Sequence, residues 1–280
     1  MRPLIVGSAF VLALCSAAHA APQGPAAPET VLVASGSLKL RGVIWRPVGK
    51  GPFPGILFNH GSYRAADSAI MTQPSTLGPL FARHGYVFFV LYRRGTGASR
   101  SEGIADGELM ARALASDGTE GRNRVQLELL NDDELRDAMA ALAALRALPK
   151  VDRLRVALMG HSFGGALSLV LAARDTAVKA AVVFGPAAAS WQRSPALRTR
   201  LEAAVARTTA PVMFVHAAND YSVAPGQVLA AEMQRRGKTQ VLKIYPAVGR
   251  DTSDGHNVIY LSVPTWEADV FDFLDARLGR

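Results

Sequence analysis

The 280-residue sequence contains one cysteine, Cys15, and it lies inside an apolar N-terminal run. A lone cysteine rules out an intrachain disulfide and a thiolate zinc cluster, and its position argues against a thiol nucleophile. The six histidines show no His-Glu-x-x-His spacing, so the zinc-peptidase helix is missing. Arg94-Gly95-Thr96-Gly97 lacks both the third glycine of a dinucleotide fingerprint and the Gly-Lys-Ser of a phosphate loop. A structural turn is its simpler reading. Neither a metal nor an organic cofactor is expected. Beyond the first residues no run is long and apolar enough to span a bilayer. The formal net charge is +8, but the basic residues are scattered and no nucleic-acid module accompanies them. They read as solvated arginines, and the expected partner is a small molecule rather than a nucleic acid.

The N-terminus has the layout of an export signal. Arg2 precedes the apolar run Leu4 to Leu14, and Ala18-His19-Ala20 fits an A-x-A cleavage site. Residues 1–20 are therefore expected to be a signal peptide, with Cys15 as hydrophobic filler, and the mature protein to be periplasmic or secreted. Residues 21–28 form a Pro/Ala linker, and 29–280 is expected to be one domain.

Within that domain, short apolar runs alternate with helical patterns. Strands are expected at Thr30–Ser35, Lys39–Arg46, Pro54–Asn59, Val87–Leu91, Arg155–Met159, Lys179–Phe184, Pro211–His216 and Gln240–Tyr245. The first two flank a Gly36-Ser37 turn and suggest an antiparallel hairpin. Helical spacing is expected over Leu77–His84, Val125–Leu148, Ala166–Ala173, Pro195–Arg207, Pro225–Arg236 and Pro264–Leu278. The fold class is thus α/β, a mostly parallel twisted sheet of about eight strands with helices on both faces. The connections 93–123 and 186–210 are long enough to form lid or cap elements.

Gly160-His161-Ser162-Phe163-Gly164 stands between the strand at Met159 and the helix opening at Ala166. A G-x-S-x-G between strand and helix is the setting of a nucleophile elbow, which raises a serine hydroxyl on a strained turn. That hydroxyl needs a base, and the base needs an orienting group. In parallel sheets such groups stand outside the carboxyl ends of strands. Asp220 follows the strand ending at His216, and His256 precedes the last helix, so serine, acid and base fall in chain order. Asp251 and Asp254 are nearby carboxylates and remain alternative acids. His161 points away from an elbow and is expected to pack or hydrogen-bond. His60 shapes the loop at Asn59, His216 is a core histidine, and His84 is a surface residue at a helix end. Trp191 is expected either to pack a cap or to line an acyl pocket.

Asn59-His60-Gly61-Ser62, Arg94 to Ser99, Gly160 to Gly165, Asn219-Asp220 and Gly255-His256 together resemble the dienelactone-hydrolase-like branch of the α/β-hydrolases. They are also similar to the catalytic domains of prolyl-oligopeptidase-type enzymes. The resemblance implies an α/β-hydrolase fold with Ser162 as nucleophile, Asp220 as acid and His256 as base. Backbone N–H groups of Phe163 and Ser62 would form the oxyanion hole, with the Tyr63 phenol as a possible third donor. The implied function is ester hydrolysis, with a peptidase or amidase as the first alternative and a non-catalytic binding protein as the second. Dienelactone hydrolases themselves carry a cysteine nucleophile, so having Ser162 separates the family resemblance from the dienelactone substrate.

Overall fold

The structure, a computed structural model, describes residues 27–64 and 69–280. The expected signal peptide and most of the linker lie outside the described residues. Eight strands form one sheet: β1 (Glu29–Ser35), β2 (Leu38–Trp45), β3 (Phe53–Asn59), β4 (Val87–Leu91), β5 (Val151–His161), β6 (Ala181–Phe184), β7 (Val212–Ala217) and β8 (Gln240–Tyr245). Their spatial order is β1-β2-β4-β3-β5-β6-β7-β8. β1 pairs antiparallel with β2, and β2 antiparallel with β4; all other pairs are parallel. The sequence expectation of an eight-stranded, mostly parallel sheet is met.

Helices cover both faces: α1 (Ala69–Arg83), α2 (Asp106–Asn131), α3 (Asp133–Ala147), α4 (Phe163–Arg174), α5 (Pro195–Arg207), α6 (Ala224–Arg235), α7 (Thr252–His256), α8 (Val258–Leu261) and α9 (Val263–Leu278). Strand pleating sorts the core into two layers. Leu57, Phe89 and Phe214 turn to one face, where Leu142 of α3, Leu167 of α4 and Leu201 of α5 meet them. Their neighbours Ile56, Phe88 and Met213 turn to the other, against Phe81 of α1 and Trp266 and Phe271 of α9. Burial on both faces makes the central strands continuously apolar, as Val87-Phe88-Phe89-Val90-Leu91 shows.

Two expectations are corrected. The segment expected as a polar connection over 93–123 is largely helix, because α2 begins at Asp106 and runs through Gly118, where φ of +65° kinks it. The single helix expected over Val125–Leu148 is two helices, broken at Asp132, whose φ of −128° and ψ of −91° lie outside the helical region. Trp191 is buried within the core layer under α4 and α5, which answers the choice between cap packing and pocket lining in favour of packing. Among the described residues no helix is long and apolar enough to cross a membrane.

β3 is the position where the chain reverses its direction of travel across the sheet. After β3 the chain adds β4 on one side and then returns to add β5 on the other. Loops leaving the carboxyl ends of two such neighbours diverge and open a crevice, the usual location of a ligand site in an α/β sheet. Asn59 at the end of β3 pairs with Gly160 near the end of β5. The loop at His60 and the turn at Ser162 therefore leave the sheet side by side.

Candidate active site

Ser162 sits between β5 and α4 with φ of 57° and ψ of −119°. A non-glycine residue at positive φ costs about 1–3 kcal/mol and persists only where its surroundings impose it. Those surroundings are visible. The Ser162 N–H donates to the Phe184 carbonyl at 2.9 Å, and its carbonyl accepts from the Ala166 N–H at 3.1 Å. The flanking glycine is sterically required, since a Cβ at Gly164 would lie 2.0 Å from the Asn59 carbonyl oxygen. The helix can approach the β3 loop only because that side chain is missing.

His256 closes α7, and its Nδ1 lies 2.7 Å from Asp220 Oδ1. Asp220 stands just beyond β7 and is fixed by three groups. His216 Nδ1 lies 2.8 Å from Oδ2, and the Tyr221 N–H donates to Oδ1 at 2.7 Å. Burial alone would raise the Asp220 carboxyl, but the hydrogen bonds from His216 and His256, with the charges of both rings, outweigh it and lower it to about 2. Asp251 and Asp254 do other work. The Asp251 side chain accepts the Asp254 N–H at 2.9 Å as the cap of α7, and Asp254 Oδ2 accepts the Arg250 N–H at 2.8 Å. Of the three candidate acids, Asp220 is the one that meets His256.

His161 holds His256 from behind. Its Nε2 lies 2.9 Å from the His256 carbonyl oxygen. Burial and the neighbouring His256 charge lower the His161 imidazole to about 3, so the ring is neutral and carries its proton on Nε2 as donor. Gly185 completes the contact. A Cβ there would lie 2.9 Å from both Asp220 Oδ2 and His256 Nδ1, and φ is +52°. Gly185→Ala is expected to displace the pair and lower turnover about 10²-fold. Its melting transition, measured alongside, separates this displacement from unfolding.

The loop after β3 is held by an arginine. Arg93, 1% exposed, donates from Nη1 to the His60 carbonyl at 3.0 Å and from Nη2 to the Gly61 carbonyl at 3.2 Å. Its Nε bonds Glu134, its Nη2 meets Asp106 Oδ2 at 3.4 Å, and the guanidinium lies 5.6 Å from the Phe163 ring centroid. Asp106 accepts the Tyr63 N–H at 3.1 Å and a bond from the Ser62 hydroxyl. Burial and Arg93 together depress the His60 imidazole well below its ordinary value, offset in part by its bond to the Gly61 carbonyl at 2.7 Å. The ring accepts the Arg93 N–H at Nε2, 3.3 Å away, and so donates from Nδ1.

The β3 loop approaches Ser162 at Gly61, where a Cβ would lie 3.5 Å from Ser162 Cβ, and Phe163 opens α4 directly after the serine. The Tyr63 phenol bonds Gln73 Oε1 on α1. A cleft of about 530 Å³ runs beside this loop, lined by Ser62, Tyr63, Arg64, Met110, Leu114 and Arg122 among others. His84 is less peripheral than a helix-end position suggests: its ring stacks on Phe271 at 3.6 Å.

Neither Arg93 nor His216 stood out in the sequence as part of the site. The available signal was weak: two arginines closing β4, and a carboxylate-rich Asp132-Asp133-Glu134 followed by Asp137. Buried arginines need buried carboxylates, and this is where they come from. Arg94 is held by Asp137, at 2.9 and 2.8 Å, as Arg93 is by Glu134.

The solved structures most informative for comparison share this architecture. Pyrococcus horikoshii acylaminoacyl peptidase superposes with a TM-score of 0.64 at 16% identity over 91% of this chain, which spans only 42% of that protein. A dienelactone hydrolase-like promiscuous phosphotriesterase from metagenomic libraries, P91, gives 0.63 at 20% identity, covering 92% of this chain and 100% of its own. Dienelactone hydrolase from Anabaena variabilis gives 0.59 at 18% identity, covering 91% and 97%. These likenesses concern the fold. The sequence itself carries the family signal, since the dienelactone hydrolase family model matches residues 41–250, and the chain therefore belongs to the dienelactone hydrolase family.

Proposed function

We propose that the protein is a serine hydrolase that cleaves a carboxylic ester through an acyl-enzyme. The observation that supports this most is the 2.7 Å contact of His256 Nδ1 with Asp220, in a pair packed on Gly185, next to the Phe184 carbonyl that receives the Ser162 N–H. His256 Nε2 takes the Ser162 proton as Oγ bonds the acyl carbon and the carbonyl electron pair moves onto oxygen. Phe163 and Ser62 N–H groups receive that oxyanion, each donor contributing about 3–4 kcal/mol to the transition state. Collapse expels the alkoxide, which recovers the proton from His256. Water then attacks the acyl-serine with His256 again as base, releasing the acid and free Ser162. Asp220 holds the His256 tautomer and stabilises its imidazolium throughout. The cleft beside Ser62 takes the substrate, and the reaction needs no metal or organic cofactor.

A fluorophosphonate probe is expected to label the protein stoichiometrically, with the adduct mass on the peptide containing Ser162. Folded protein that stays unlabelled would mean a scaffold without this chemistry. The fold likeness to an acylaminoacyl peptidase supports a second reading, amide cleavage at the same site. Turnover of p-nitrophenyl esters against aminoacyl-p-nitroanilides divides the two, and anilides cleaved faster than every ester would favour the peptidase. Export is part of the proposal, supported by the Leu4–Leu14 run and Ala18-His19-Ala20. The N-terminal sequence of the exported protein is expected to begin at Ala21.

A further inference from the structure

Asp220 is unusual in serving two histidines at once. Its Oδ1 takes His256 Nδ1 and the Tyr221 N–H, both at 2.7 Å, and its Oδ2 takes His216 Nδ1 at 2.8 Å. His216 has no exposed surface, and the Asp220 side chain is 1% exposed. The other ring nitrogen, His216 Nε2, is buried with no hydrogen-bond partner among the described residues. A proton there would be buried without an acceptor, at a cost of about 1–3 kcal/mol, whereas a proton on Nδ1 has the carboxylate to meet it. The ring therefore carries its proton on Nδ1 and donates it to Asp220. The ring is also clamped in place. A Cβ at Gly226, in the first turn of α6, would lie 2.7 Å from His216 Cδ2 and Nε2, so the α6 backbone lies directly against the imidazole edge.

A carboxylate bonded through one oxygen can turn about its Cβ–Cγ bond and change which lone pair it offers. One bonded through both oxygens to rigid donors cannot. Tyr221 and His256 bind Oδ1 alone, leaving Oδ2 to whatever stands behind it. That position is taken by the penultimate residue of β7, a strand held on both sides by β6 and β8.

We propose that His216 is a positioning residue for the hydrolytic reaction, locking the Asp220 carboxylate through Oδ2 so that Oδ1 is kept for His256. This rests on the reading of Ser162, Asp220 and His256 given above. His216 touches neither the substrate nor the reacting atoms and acts only through Asp220. Its effect falls on the step in which His256 gains charge, so it belongs to kcat rather than to substrate binding.

The substitutions that test this differ in where they carry a donor. Asparagine puts its amide nitrogen near the place of Nδ1, glutamine puts it near Nε2, and phenylalanine keeps the ring shape with no donor. His216→Asn is expected to stay within about 3-fold of wild-type kcat. His216→Gln and His216→Phe are expected to lose about 10–100-fold, the range typical when the group orienting a working side chain is removed. KM is expected to hold within about 2-fold in all three. The His256 Nδ1 proton gives a readout that needs no turnover. Its far-downfield NMR resonance is expected to survive in His216→Asn and to shift or broaden in His216→Gln and His216→Phe. If His216→Phe fails to fold, the contrast of asparagine with glutamine carries the test. Equal kcat and an unchanged resonance in the asparagine and glutamine variants would overturn the proposal. If wild-type protein hydrolyses no acyl substrate while the resonance still follows the donor at residue 216, the hydrolase reading falls and with it the catalytic role of His216, while its lock on Asp220 stands.

Discussion

Ser162→Ala is expected to lower ester turnover about 10⁶-fold, and Asp220→Asn about 10⁴-fold, while the double variant is no slower than Ser162→Ala alone. The difference between the single variants follows from what each group does. Without the Ser162 hydroxyl no acyl-enzyme forms, and what remains is a cleft with oxyanion donors. Without the Asp220 charge the nucleophile is intact, but an asparagine amide facing His256 Nδ1 favours the wrong tautomer and leaves the imidazolium uncompensated. The two losses do not add because, in the proposed mechanism, Asp220 acts only through His256, and His256 acts only on the Ser162 proton. Steady-state kinetics of the three variants with one p-nitrophenyl ester checks the cycle. A double variant slower than Ser162→Ala by a further 10⁴-fold would mean that Asp220 serves a different reaction.

Asp220 also sets an acid boundary for stability. Its carboxyl is lowered to about 2, because the hydrogen bonds from His216 and His256 overcome the opposing effect of burial. A carboxylate lowered on folding contributes stability that is fully present above its unfolded value of roughly 4 and is lost as pH falls towards 2. The charge proposed to orient His256 is therefore in place at neutral pH.

How far the site can be read from sequence depends on how local its constraints are. The elbow is legible because its geometry demands glycine at Gly164, where the approach of α4 to the Asn59 carbonyl admits no Cβ. Asp220 is legible by position, immediately after a buried strand, yet its choice over Asp251 and Asp254 needed the fold, since nothing local tells which carboxylate His256 will face. The central strands are legible because burial on both faces makes them uniformly apolar. Helix α2 is not, because Gly118 and a polar surface hide a helix whose stability comes from tertiary packing. The Tyr63 partner is hidden for the same reason, since Gln73 lies on another element. Least legible of all is the support under the oxyanion loop: Arg93 finds its carboxylates 13 and 41 positions away.

That support carries the second large effect: Arg93→Met is expected to destabilise the fold by about 3–5 kcal/mol and to depress turnover of whatever remains folded. Methionine matches the arginine stem in length but removes the donors that meet the His60 and Gly61 carbonyls, Glu134 and Asp106. It leaves the buried carboxyl groups of Glu134 and Asp106 without their guanidinium partner, which is far costlier than losing a surface ion pair. The same guanidinium braces both arms of the proposed oxyanion hole, through the two carbonyls preceding Ser62 and through the ring of Phe163. The pH dependence identifies the cause. Burial raises the Glu134 carboxyl to about 8, with Arg93 pulling it down and Asp106 and Asp137 pushing it up. A carboxyl raised on folding holds its proton longer in the native state than in the unfolded chain. Stability from it is thus fully present below its unfolded value of roughly 4 and falls as pH rises towards 8. Removing Arg93 removes the largest attraction that favours the charged form, and below about pH 8 the carboxyl is protonated with or without it, so the deficit of Arg93→Met is expected to be larger at pH 9.5 than at pH 5. Urea unfolding at the two pH values measures it, with Glu134→Gln as the control in which the alkaline fall flattens. Equal deficits at both pH values would mean that the arginine acts through packing alone and that the carboxylates beneath the loop are charge-balanced without it.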